Sequence, residues 1–118
     1  MGDSAGNIYA LTGNGTFNGT TDFGDSFIKL WPNGPIQDWF VAPNRSMLEE
    51  FDLDPSSSGP VLTPDSNLLI GGGKDGIVYV LNPANLGHDG GPLQKFQATR
   101  FCDNPALIAA TRSIRMLI

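Results

Sequence analysis

Cysteine and histidine are nearly missing from this sequence: one of each occurs, Cys102 and His88, in 118 residues. A single cysteine excludes an internal disulfide, and no Cys/His cluster has the spacing of a zinc site. Charge is sparse as well, at 16% of the chain, with seven Lys and Arg against twelve Asp and Glu. The cations are scattered and the net charge is −5. An acidic chain without a basic stripe repels phosphates, which excludes nucleic acid as a partner. No apolar run approaches the roughly 20 residues of a membrane-spanning helix, so no membrane partner is expected. The opening residues, Met1-Gly2-Asp3-Ser4, carry neither the basic nor the apolar region of a signal peptide.

What the chain does have is glycine (15) and proline (9), with hydrophobic residues at 40%. That mixture predicts many turns and short strands rather than long helices. Between Ser58 and Leu81 the strands are plainest. Val61-Leu62 ends at a Pro64-Asp65 turn, Asn67-Leu68-Leu69-Ile70 follows, and Asp75-Gly76 separates it from Ile77-Val78-Tyr79-Val80-Leu81. Asp-Gly between two β-prone runs is a hairpin signal, because the turn needs a positive φ. Leu93 to Gln97 alternates apolar and polar, as a half-buried outer strand does. Four antiparallel strands are predicted, near 61–63, 67–71, 77–82 and 93–98.

The first part repeats that plan. Ile8 to Thr12 and Ile36 to Val41 read as strands, and a Gly-rich loop runs from Gly13 to Gly24. Phe27-Ile28-Lys29-Leu30-Trp31-Pro32 lies 51 positions before Val78-Tyr79-Val80-Leu81-Asn82-Pro83, each after an Asp-Ser or Asp-Gly pair. A period near 50 residues with hairpins inside is that of β-propeller blades. The alternative is two hairpins that share a turn grammar. The fold class expected is all-β, in antiparallel four-stranded blades of a partial propeller. Residues 1–41 form an incomplete first blade lacking its first strand, 42–58 a loop, 59–98 a second blade, and 99–118 a tail. In the tail, Leu107, Ala110, Ile114 and Leu117 fall at helical spacing, which predicts a short C-terminal helix or an irregular tail. Two incomplete blades cannot close a ring of about four to eight. The expectation is therefore a fragment of a longer protein, or completion by partner chains that cover the strand edges and apolar faces.

Ser58-Gly59-Pro60-Val61-Leu62 with Leu69-Ile70-Gly71-Gly72-Gly73-Lys74-Asp75-Gly76-Ile77-Val78-Tyr79-Val80-Leu81 resembles the repeat of pyrroloquinoline-quinone (PQQ) enzymes and their non-catalytic propeller relatives. Leu11-Thr12-Gly13-Asn14-Gly15-Thr16 resembles the family's Gly-Thr-Gly-Asn stretch, and Phe51-Asp52-Leu53-Asp54 its Trp-Asp-X-Asp segment. For the quinoprotein alcohol dehydrogenases the resemblance implies Asn14 and Asp54 as metal ligands and Asp52 as the catalytic base. Ca²⁺ or a lanthanide takes such oxygen ligands and polarises the quinone carbonyl while the carboxylate removes the alcohol proton. The chain departs from that pattern. Its single cysteine rules out the family's adjacent-cysteine disulfide, and Phe51 stands in place of Trp. Read without the family, Asn14 is a left-handed turn residue between two glycines, and Asp52 and Asp54 cap their own loop.

Three sequons occur, at Asn14, Asn18 and Asn44, and His88 reads as an exposed loop histidine. Tyr9, Trp31, Trp39, Phe40 and Tyr79 read as blade-packing aromatics. The leading expectation is a non-enzymatic scaffold or binding module of the PQQ-repeat kind, with no cofactor of its own and with further blades or other proteins as partners. The alternatives are part of a PQQ- and metal-dependent alcohol or sugar dehydrogenase, and a small β-sandwich-like protein-binding domain. An extracytoplasmic location is implied by the resemblance alone.

Overall fold

Seven short strands and one short helix make up the computed structural model, which describes residues 1–50, 59–64 and 67–98. The first sheet holds β1 (Ile8–Leu11), β2 (Ser26–Leu30) and β3 (Ile36–Val41) in the antiparallel order β1-β2-β3. The second holds β4 (Val61–Leu62), β5 (Leu69–Gly72), β6 (Ile77–Leu81) and β7 (Gln94–Gln97), each antiparallel to the next. The strands lie where the turn chemistry puts them. Gly76 closes the β5–β6 hairpin at φ 78°, its N–H donating to the Gly73 carbonyl. Gly34 does the same service between β2 and β3 at φ 112°.

Two stretches differ from expectation. Within the 42–58 stretch read as a loop, Arg45–Glu50 forms a helix, α1, whose Leu48 is 1% exposed. Burial of that leucine fixes a turn and a half of helix that its length alone would not. β7 is exposed at all four positions instead of half-buried, and Phe96 keeps 43% of its surface in solvent. The stretch read as alternating places Leu93 and Phe96 three positions apart, hence on opposite faces, and β7 is exposed on both. The C-terminal helix expected over 105–118 lies outside the described residues.

One core joins the sheets. Tyr9, Phe27 and Phe40 from the first meet Leu69, Tyr79 and Leu81 from the second, with Leu86 beside them. Burying each such side chain contributes roughly 1.5–3 kcal/mol. Phe40 and Tyr79 have ring centres 5.2 Å apart, and Phe27 and Tyr79 6.2 Å apart in an edge-to-face contact. Lys29 crosses the junction to donate to the Pro83 carbonyl at 2.9 Å.

The register shows how the faces are oriented. Leu11 pairs with Phe27 and Phe27 with Phe40; Gly72 pairs with Val78 and Val78 with Phe96. Matching the strand orders therefore equates Phe27 with Val78, Phe40 with Phe96, Ile28 with Tyr79, and Ala10 with Gly71. It also equates the two left-handed turn residues, Asp25 at φ 53° and Gly76. Side chains alternate across a strand. The first sheet turns its Tyr9, Phe27 and Phe40 face to the core, whereas the second turns the opposite face, with Leu69, Gly71, Tyr79 and Leu81. The two sheets are stacked head to tail, front of one on back of the next.

Candidate functional site

The chemistry-bearing side chains gather at the turns and at the junction between the sheets. Asp25 is 1% exposed and takes a left-handed backbone that aspartate tolerates better than most residues. The Gly13–Gly24 loop folds back to meet it. Asn14 Nδ2 donates to Asp25 Oδ1 at 2.9 Å, and the Asp25 N–H donates to the Gly13 carbonyl. Gly24 lies so close to the Gly15 backbone that neither loop limb has room for a side chain at Gly24. Asn14 itself is not among the residues of positive φ. The left-handed position belongs to Asp25, and Asn14 is set by its bond to that carboxylate.

A second buried aspartate sits at the corresponding turn of the second sheet. Asp75 is 4% exposed; its Oδ2 accepts from Asn44 Nδ2 at 2.9 Å and its Oδ1 from the Ile77 N–H at 3.2 Å. Tyr79 donates its hydroxyl to Asn44 Oδ1 at 3.4 Å. Burial, and then the charge of Asp75, push the Tyr79 phenol well above its ordinary value. Asn44 opens α1, accepting the Leu48 N–H on its carbonyl, so this network ties the segment after β3 to the second sheet. Tyr9 is pushed up to about 12 by burial and by its hydrogen bond to Asp3.

His88 occupies the third cluster. The residues after β6 run along the edge of β3: the His88 N–H donates to the Trp39 carbonyl at 2.8 Å and the Val41 N–H to the His88 carbonyl at 2.9 Å. The imidazole stacks on the Trp39 indole, with centres 4.2 Å apart and planes 8° from parallel. Its Nε2 lies 3.0 Å from Asp38 Oδ1, while Asp38 Oδ2 accepts the Leu86 N–H at 2.8 Å. The side chain is 56% exposed, as a loop histidine would be, but it is engaged on one face and one edge. Sequence reasoning missed this role because the stacking partner stands 49 positions away. The one local signal was the glycine-rich Gly87-His88-Asp89-Gly90-Gly91 turn, where His88 takes φ 58°.

Trp39 also packs edge-on against Phe17 at 5.1 Å. Of the other aromatics read as packing residues, Tyr9, Phe40 and Tyr79 are in the core, whereas Trp31 is 48% exposed. An open depression of about 450 Å³ lies between Met1–Ser4 and Leu62–Pro64. Its carboxylate, Asp3, is committed to the N–H groups of Ala5 and Asn7, the Asn7 amide and the Tyr9 hydroxyl.

Of the residues implied by the quinoprotein resemblance, Asn14 alone lies among the described residues. Asn14 turns its NH₂ group to Asp25, and Asp52 and Asp54 lie outside the described residues. Among the described residues no group of three or more His, Cys, Asp or Glu side chains is placed to hold a metal ion. No helix among them is long and apolar enough to cross a membrane. No family model, curated protein or solved structure matches the chain.

Proposed function

We propose that this chain contributes successive blades to a quinoprotein-like β-propeller of the PQQ-repeat kind and serves as a non-enzymatic scaffold or binding module. The observation that carries this reading is the head-to-tail stacking of two sheets with equivalent strand order. A sandwich whose sheets are related by a two-fold axis brings equivalent faces together. Here non-equivalent faces meet, the relation between neighbours around a ring. The 51-residue sequence offset between β2 and β6 supports the same reading. Extracytoplasmic residence belongs to this proposal through the family resemblance.

The arrangement of Asn14 favours a structural role over a catalytic one. Its amide donates to one oxygen of a buried carboxylate, and an ionised carboxylate without donors is costly inside a protein. The dehydrogenase alternative is tested by titrating the folded chain with PQQ and Ca²⁺ while following cofactor absorbance. The scaffold reading expects no saturable binding at about 10 µM cofactor, a Kd range readily detected. Stoichiometric binding at that concentration would replace it with the quinoprotein reading.

A further inference from the structure

The outer face of the first sheet is covered at β3, where Trp39 beside Ile28 carries His88 and Phe17, and is only partly covered at β1 and β2 among the described residues. Ile8, Ala10, Ile28 and Leu30 point away from the core, none of them is charged, and Ile8 is 42% exposed. At the opposite end of the stack, Phe96 projects from β7 into solvent at 43% exposure. The repeat relation connects the two. Ile28 and Ala10 are the counterparts of Tyr79 and Gly71, the seat on which the first sheet rests. Phe96 is the counterpart of Phe40, which rests on that seat with its ring 5.2 Å from Tyr79. Among the described residues, a half-buried apolar seat on β1 and β2 thus stands at one end and an exposed aromatic at the other.

We propose that a second copy of this chain docks on the outer face of the first sheet, placing its Phe96 over Ile28 as Phe40 lies over Tyr79 within one chain. The proposal rests on the head-to-tail reading of the two sheets. The contact is heterologous, so each copy keeps one free seat and one free aromatic and assembly continues into a ring or an open stack. It engages the β7 side of the second sheet's far face, since Ile70 and Val78 on that face are already 9% and 3% exposed. Burial of apolar surface drives the association.

Sedimentation of the 118-residue chain from about 1 to about 100 µM, the range of weak protein contacts, tests the proposal. The expected result is a mass that rises above one copy with concentration. Phe96→Lys and Ile28→Lys should each hold the chain at one copy, because each removes one half of the contact. Mixed one to one, they should form a dimer, since the intact aromatic of one meets the intact seat of the other. Ile8→Lys, at the exposed rim of the seat, replaces Ile28→Lys if the latter loses its β circular dichroism. A single-copy mass throughout overturns self-docking, as does a mixture that fails to pair. Neither result touches the stacking inside one chain, which the coupling of Phe27 with Gly71 reports separately.

Discussion

The ring of Phe27 rests on the bare α-carbon of Gly71: a Cβ built there would stand 2.7 Å from Phe27 Cε1. A glycine in a strand interior ordinarily weakens it, and this one is explained by the aromatic ring of the other sheet. Gly71→Ala should cost about 1–3 kcal/mol, the usual penalty for overpacking a filled core. On a Phe27→Leu background the same substitution should cost much less, because the smaller side chain clears the methyl group. Urea unfolding of the four chains of this double-mutant cycle measures the coupling, expected at about 0.5–3 kcal/mol for residues in contact. Additive costs would mean that the sheets do not meet at this point.

Asn14 offers a clean separation of roles. If it serves Asp25, Asn14→Ala strips a donor from a carboxylate that is 1% exposed, at a cost of about 1–3 kcal/mol. Calorimetry in EDTA and in excess Ca²⁺ should show the same loss of Tm in both. If Asn14 were a metal ligand, the parent chain would gain stability with calcium by mass action, and the variant would not.

The strained backbone at His88 makes a paired prediction. Glycine adopts φ 58° freely, whereas alanine pays for it by about 1–2 kcal/mol. Both His88→Ala and His88→Gly lose the stack on Trp39 and the bond to Asp38, so their difference isolates the backbone. His88→Gly should be the more stable of the two in thermal unfolding. Equal stabilities would mean that the turn relaxes and that the strand-edge bonds to Trp39 and Val41 do not hold it.

The turn chemistry made much of the fold legible. Asp75-Gly76 announced the β5–β6 hairpin, and the 51-residue offset located β2 against β6. What could not be read was pairing at a distance. Nothing near Asp25 or Asp75 in sequence says that both are buried and that Asn14 and Asn44 donate to them. The family resemblance drew attention to Asn14 without pointing to Asp25. The apolar residues around β7, Leu93 and Phe96, stand three apart and so share no face, and the reading of a half-buried outer strand failed there. α1 was hidden because its stability comes from burying Leu48 rather than from a long periodic pattern.

Alkaline pH should expose the two core tyrosines. Tyr9 is pushed up to about 12 by burial and its bond to Asp3, and Tyr79 is raised by burial and the charge of Asp75. In the unfolded chain both ionise near the ordinary tyrosine value of about 10. A phenol whose value is raised by folding leaves stability intact below that point. Stability then falls as the pH climbs from about 10 towards 12, because the unfolded state releases protons that the folded state retains. Tyrosinate absorbance should therefore appear together with the loss of β circular dichroism, in one transition. Tyr9→Phe removes one of the two protons from this linkage, so urea unfolding of the variant should show a shallower decline of stability above pH 10. A decline as steep as that of the parent would mean that Tyr9 ionises in the folded chain and that its hydroxyl is not held by Asp3.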